Sequence, residues 1–485
     1  MADATSSSNE VKTYSLLYIV LVSALGGFLF GFDSAVISGC EQAIQSEYGL
    51  NAFNHGFTIS IALIGTIIGA FGVGRPSDIF GRKHTLMAMA LLYLVSGVGC
   101  AFAPNWLTLV VMRFIGGIAI GGSSVVVPLY IVEVSPGHVR GRLVATNQLN
   151  IVFGILVSYI SNYFVAQAID QQTAVWHWCA NLANMFVSTP MAAETIKWRL
   201  MLGVESFPSL VFFLLLFTIP ESPRWLVHMG RKQEALNVLK GIKDEAPDKT
   251  LREICESLAN ASHGEKVRLF QRRYMKPILL AFAVAMFNQL SGINAINYYA
   301  PRIFEMFGIG THSALGGTIL VGTVNLIFTI LAFFFIDKLG RRMLLIIGAI
   351  GTTTMHFLVA WQLSMGAHAH AVLAITGVLG FIAFFAVSQG AVIWVFISEV
   401  FPNAVRAKGQ ALGCFTHWFM CTLISWFFPM VAEASGSYAF GFFGCMTLLQ
   451  LVFALKFMPE TKGGTIEDIE HRLGIGPEHA VKPAK

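Results

Sequence analysis

Charge is scarce in this chain. Asp, Glu, Lys and Arg make up 12% of its 485 residues, where a soluble globular domain carries about 25%. So few charges cannot keep a solvated surface wet, which excludes an ordinary soluble enzyme and a disordered chain alike. Catalytic signatures are missing too. There are no paired carboxylates, no nucleophile elbow, no phosphate loop and no metal-ligand spacing, so neither an enzyme nor a bound cofactor or metal is expected. The seven cysteines form no C-x-x-C pair. Cys40, Cys100, Cys179, Cys414, Cys421 and Cys445 lie in or near apolar stretches and Cys255 in a polar linker, so they read as small packing residues. The first residues, MADATSSSNEVK, have no basic leader, and the apolar run that follows is too long for a signal peptide. The net charge of +5 does not point to nucleic acid, because the basic residues sit in short loops between apolar runs.

What is abundant is apolar surface: 55% hydrophobic residues, 40 of them Phe, and a mean hydropathy of +0.66. Twelve apolar runs are long enough to cross a bilayer: 14–37, 57–75, 86–103, 107–132, 147–167, 200–219, 277–299, 315–336, 343–364, 371–397, 408–432 and 437–457. Lipid leaves backbone groups no partner but their own helix, so the fold class is an all-α polytopic membrane protein with twelve transmembrane helices. Arg75, Arg82, Lys83, Arg140, Arg142, Lys338, Arg341, Arg342, Arg406 and Lys408 fall on one side, with the charged linker. Only Lys197, Arg199 and Arg302 fall on the other. The basic side is expected to be cytoplasmic, with both termini. The organisation predicted is a tail over 1–13, a six-helix half over 14–220, a helical linker over 221–276, a second half over 277–458 and a tail over 459–485.

The chain repeats itself. Asp78-Ile79-Phe80-Gly81-Arg82-Lys83 is answered by Asp337-Lys338-Leu339-Gly340-Arg341-Arg342. Glu133 followed by Arg140 is answered by Glu399 followed by Arg406, and Pro220-Glu221-Ser222 by Pro459-Glu460-Thr461. Two related halves about a central site suit a carrier that rocks.

Polar groups inside the apolar runs are the functional candidates. Asn288, Gln289, Asn294, Tyr298 and Tyr299 crowd the end of the seventh run. Amides both donate and accept, which suits a ligand made of hydroxyls, although amides also bond helix to helix. Asp33 lies in the first run with Arg113 as its obvious partner, and Glu205 is a second intramembrane carboxylate. An Asp–Arg pair broken by protonation is a switch, and a permanent pair only fixes packing.

These motifs resemble the sugar porters of the major facilitator superfamily. The likeness runs over about 25–463 and rests on the D-x-x-G-R loops, PESPRWL (220–226), QLSGIN (289–294) and PETKG (459–463). It implies a monosaccharide, a pentose or hexose, bound by Gln148, Asn288, Gln289, Asn294, Asn325, Trp394, His417 and Trp418. It also implies proton coupling through Asp33, where facilitators carry a neutral residue, with Arg113 and Glu205 beside it. An indole offers an N–H and a flat face to sugar C–H groups, and an interfacial anchor is the alternative for Trp394.

Three positions depart from the family. Asn288 stands for a Gln, His417 for a Gln or Asn, and Ala391 for a proline, which leaves Gly390 as the expected flex point. His417 either bonds the sugar or senses pH, or is a neutral core residue. Tyr298 and Tyr299 are expected gate residues. On the cytoplasmic side Asp78, Arg82, Glu133, Arg140, Glu221 and Arg224 of the first half face Asp337, Arg341, Glu399 and Arg406 of the second. Pairs between the two sets are expected to hold the inner face shut while the site faces outward. The expectation is therefore a monomeric proton–sugar symporter in a cell membrane, surrounded by lipid. A proton-independent facilitator and a non-transporting receptor are the alternatives.

Overall fold

A computed structural model describes residues 13–136, 139–174, 177, 192–261, 267–463, 466–473 and 475. Among them the regular structure is helical, and twelve helical spans are long and apolar enough to cross a membrane. They are Leu16–Gly39, Ala52–Gly72, Arg82–Ala101, Trp106–Val134, Leu143–Asp170, Ala193–Leu216, Arg272–Glu305, Thr311–Leu339, Arg341–Ser364, Ala371–Glu399, Arg406–Ala434 and Gly436–Lys456. Polar capping residues start several of them. Ser15, Asn51 and Asn105 accept the N–H groups of Tyr18, Asn54 and Thr108 and so satisfy donors a helix start leaves open.

Within the first half the first span packs on the fifth and the second on the fourth; in the second half the ninth packs on the twelfth. The halves meet where the second span lies on the eleventh and the fifth on the eighth. These two interfaces exchange under the repeat that relates spans one to six to spans seven to twelve. Close approach there needs small residues. At Gly56 of the second span a Cβ would run into the carbonyl oxygen of Trp426 on the eleventh.

Three spans are broken, each at a place that matters below. The seventh is interrupted at Ser291–Gly292, between helices Met275–Leu290 and Ile293–Glu305. Gly292 has φ +81° and packs against the ring of Phe443, so only a residue without a Cβ fits. The break frees a carbonyl, and buried His356 of the ninth span takes it, with Nε2 2.8 Å from Ser291 O. The sixth span turns at Glu205, between Ala193–Val204 and Ser206–Leu216. The tenth breaks at Ser388 (φ −118°, ψ −86°), between Ala371–Val387 and Gln389–Glu399. This corrects the expected flex point: Gly390 is helical, and the bend lies at Ser388, whose Oγ donates to Phe384 O at 2.5 Å.

The linker forms the short helices Pro223–His228, Lys232–Gly241 and Pro247–Ala261, the first capped by Ser222 with proline at its start.

Candidate functional site

The break in the seventh span builds a polar cluster in the second half. Gln289 ends one helix and Asn294 begins the next, so Asn294 Nδ2 reaches back to Gln289 Oε1 at 2.7 Å. With that oxygen used, Gln289 Nε2 donates to Asn288 Oδ1 at 3.0 Å and faces the His417 ring at 3.2 Å from either nitrogen. Asn294 Nδ2 also lies 3.0 Å from Cys421 Sγ. His417 stands between two indoles. Its ring centroid is 4.9 Å from that of Trp394 and 5.0 Å from that of Trp418. Amide donors and acceptors thus sit beside two aromatic faces, the mixed surface a polyhydroxylated ring needs.

The expected residues are not equal partners in this cluster. Asn288 is committed on both sides of its amide, because its Nδ2 donates to Gln389 O at 3.3 Å, across the seventh and tenth spans. It ties the tenth-span break to the cluster. Asn325 lies on the eighth span, 8% exposed, with Thr329 Oγ1 3.4 Å from its Oδ1. Gln148 is half-buried on the fifth span. Phe30 was not foreseen. Its ring lies 5.5 Å from that of Trp418 and carries the first span into the cluster from the opposite half. A signal did exist: Phe30 stands three residues before Asp33, on the same side of one helix.

A second cluster lies wholly within the first half. Arg113 Nη1 donates to Asp33 Oδ1. Asp33, Arg113 and Glu205 are 1%, 3% and 2% exposed. Asp33 Oδ2, Arg113 Nε and Glu205 Oε1 have no hydrogen-bond partner among the described residues. Glu205 interacts electrostatically with both other members. One cation is therefore shared by two buried carboxyls, an arrangement that has room for a proton. Gly116 lets the third and fourth spans close beside this cluster, since a Cβ there would stand 2.5 Å from Ser96 Oγ.

The charges at the basic ends of the spans form two networks with the same pattern of contacts. In the first half Arg82 Nε and Nη2 grip Glu133 at 2.9 and 3.0 Å, and Nη1 reaches Asp78 at 3.2 Å. Ser222 Oγ donates to Glu133 at 2.5 Å, while Glu221 accepts the Arg82 and Lys83 N–H groups. In the second half Arg341 grips Glu399 at 3.2 and 2.9 Å and reaches Asp337 at 3.3 Å. Thr461 Oγ1 donates to Glu399 at 2.6 Å, and Glu460 accepts the Arg341 and Arg342 N–H groups.

These ion pairs run within each half; pairing between halves was expected for the state in which the site faces outward. The physical reason is reach: each Arg starts the helix next to its own acidic partner. Arg224 bonds Ser257 of the linker, and Arg406 Nε donates to Phe401 O at 3.4 Å. The Arg140 side chain lies outside what the structure describes. On the opposite face Tyr299 is fully buried. Its hydroxyl donates to Ser425 O at 2.9 Å, and its ring meets His55 of the other half at 6.0 Å. Tyr298, one residue earlier, is 4% exposed.

Known proteins share this architecture. The D-xylose-proton symporter of Escherichia coli (strain K12) is 38% identical over 500 residues, covering 96% of each chain. The arabinose-proton symporter of Bacillus subtilis (strain 168) is 35% identical, covering 95% of this chain and 96% of its own. Among solved structures, the inward open conformation of the xylose transporter XylE from E. coli superposes with a TM-score of 0.80 at 35% identity, over 94% of this chain and 99% of that one. Residues 19–473 match the family described as sugar (and other) transporter, and the chain belongs to that family, as a sugar porter of the major facilitator superfamily.

Proposed function

We propose that this protein carries a monosaccharide, a pentose or a hexose, into the cell together with a proton, by alternating access. The observation that carries the reading is the buried Asp33–Arg113–Glu205 cluster, two carboxyls around one guanidinium with unused polar atoms on all three. A facilitator has no need to keep that arrangement in lipid, where charge is costly. The cargo site is the cluster of Gln289, Asn294, Trp394, His417 and Trp418, completed from the first half by Gln148 and Phe30. Asn288 acts on it indirectly, through the tenth-span break. Asn325 lies on the eighth span, which packs on the fifth.

The cycle follows from these placements. The proton taken up at Asp33 weakens its hold on Arg113, which frees the two groups to separate as the halves rock. The intra-half cytoplasmic networks keep each half rigid. Arg406, whose Nη2 has no partner among the described residues, is the group proposed to bond across the halves when the inner ends approach. The protein works as a monomer in a cell membrane, with both termini cytoplasmic and no enzymatic step.

The test is uptake by purified protein in liposomes against a panel of pentoses and hexoses, with and without an inward proton gradient. Accumulation driven by the gradient is expected for at least one of them. Uptake that only equilibrates, whatever the gradient, would select the facilitator instead.

A further inference from the structure

The outer ends of the two halves are joined by an ionic contact that no cytoplasmic pair among the described residues matches. Glu41, just after the first span, and His55, in the second, belong to the first half and are both fully buried. Arg302 reaches them from the outer helix of the seventh span. Its Nε and Nη2 donate to the two oxygens of Glu41 at 3.0 and 2.8 Å, and Nη2 also donates to Gln45 Oε1 at 2.5 Å. His55 Nε2 stands 2.6 Å from Glu41 Oε2, off the line a hydrogen bond needs. A second cross-half bond runs beside this group, from Gln42 Nε2 to Glu305 Oε2 at 2.8 Å.

A forked, largely desolvated Arg–carboxylate contact is among the stronger polar interactions a protein makes, unlike an exposed pair. Parting the halves here would leave Glu41 without its guanidinium, next to an imidazole. The contact therefore favours the state in which the outer mouth is shut. Its position also ties it to cargo. Arg302 ends the same helix, Ile293–Glu305, that Asn294 begins in the polar cluster. The helix kinks between them at Tyr299 (φ −123°, ψ 20°), so a ligand at Asn294 would act on the latch through that kink.

We infer that Glu41, His55 and Arg302 form an outer latch that positions the seventh-span helix and sets the balance between outward- and inward-facing states. The inference rests on the alternating-access reading above. No feature of the duplicated cytoplasmic motifs announces it, since Glu41 and His55 lie outside them.

The test places spin labels on cysteines introduced at Asn51 and Glu433, exposed positions at the outer ends of the second and eleventh spans, with the reactive native cysteines replaced by serine. Distances are measured by pulsed electron resonance in liposomes. Arg302→Gln and Glu41→Gln are each expected to move population to a longer outer distance. They should also lower the external half-saturation concentration of the transported sugar by about threefold or more, because the competent outward state is better populated, while turnover falls. Arg302→Lys, which keeps the charge and loses the fork, should be intermediate. A purely structural contact would lower thermal stability without moving the distance or splitting half-saturation from turnover. A wild type that changes distance with sugar while both Gln variants keep its distances overturns the latch alone. A wild type with one invariant distance and no uptake overturns the transport reading and the latch together.

Discussion

Arg113 spends one amine on Asp33 Oδ1 and leaves its Nε, like the other Asp33 oxygen, without a partner among the described residues. A permanent structural ion pair in lipid would be expected to close both ends of the contact, because each unused polar atom there is costly. An incompletely used pair beside Glu205 is better suited to two protonation states.

Asp33→Asn should still bind sugar and still exchange labelled sugar across the membrane, yet lose accumulation against a gradient. The amide imitates the neutral carboxyl and cannot take up a proton. Uptake with simultaneous recording of internal pH decides it. If the variant still concentrates sugar and acidifies the lumen in step, Asp33 is structural and Glu205 becomes the proton carrier to test.

Gln289→Ala should weaken sugar binding by roughly 1–3 kcal/mol, the range for losing one partner of a buried hydrogen-bonded group. Trp394→Ala and Phe30→Ala should each weaken it as well, the latter although it lies in the other half. Asn288→Ala should instead slow transport more than it weakens binding, because its amide is already tied to Gln389 O and Gln289. Titration calorimetry beside initial-rate uptake separates the two effects.

Glu133→Ala removes the two-point partner of the Arg82 guanidinium and leaves it Asp78 and Ser77 O, in a pair whose side chains are 11% and 3% exposed. Removing one member of such a pair costs about 3 kcal/mol, read as a lower melting temperature in detergent. The equivalent change at Glu399, which is 26% exposed, should cost less. Sugar affinity should change in neither variant. Equal melting temperatures would show that the two networks are not graded by burial.

Glu460 gives a pH-dependent test. Burial pushes its carboxyl up, but the N–H groups of Lys462, Arg341, Arg342 and Thr461 outweigh burial and hold it below the usual carboxylate range. A lowered folded value means stability that is full above the unfolded value and lost as pH falls through the folded one. The wild type should therefore exceed Glu460→Gln in stability at neutral pH, by about 1–2 kcal/mol, and the two should converge in acid. Melting curves from pH 7 to pH 3 check the sign. A difference that grows in acid contradicts it.

The sequence by itself determined the class, the number of spans and the internal repeat. Each depends on a signal written locally: long apolar runs, basic loops, and motifs whose residues lie within one helix turn of each other. The atom-for-atom match of Arg82–Glu133 with Arg341–Glu399 grows directly from that repetition. Gln289 and Asn294 were legible because amides inside an apolar run are rare, and Asp33 because a carboxylate there is rarer.

Tertiary structure alone decided who faces whom. Phe30 meets Trp418 and Arg302 meets Glu41 across 388 and 261 positions of sequence, and neither residue is unusual where it stands. The charges of the duplicated motifs form pairs inside their own halves because a side chain's reach is short and its nearest acid lies on the adjoining helix. Residue type indicates which groups need a partner; only the packing of helices fixes which partner is close enough.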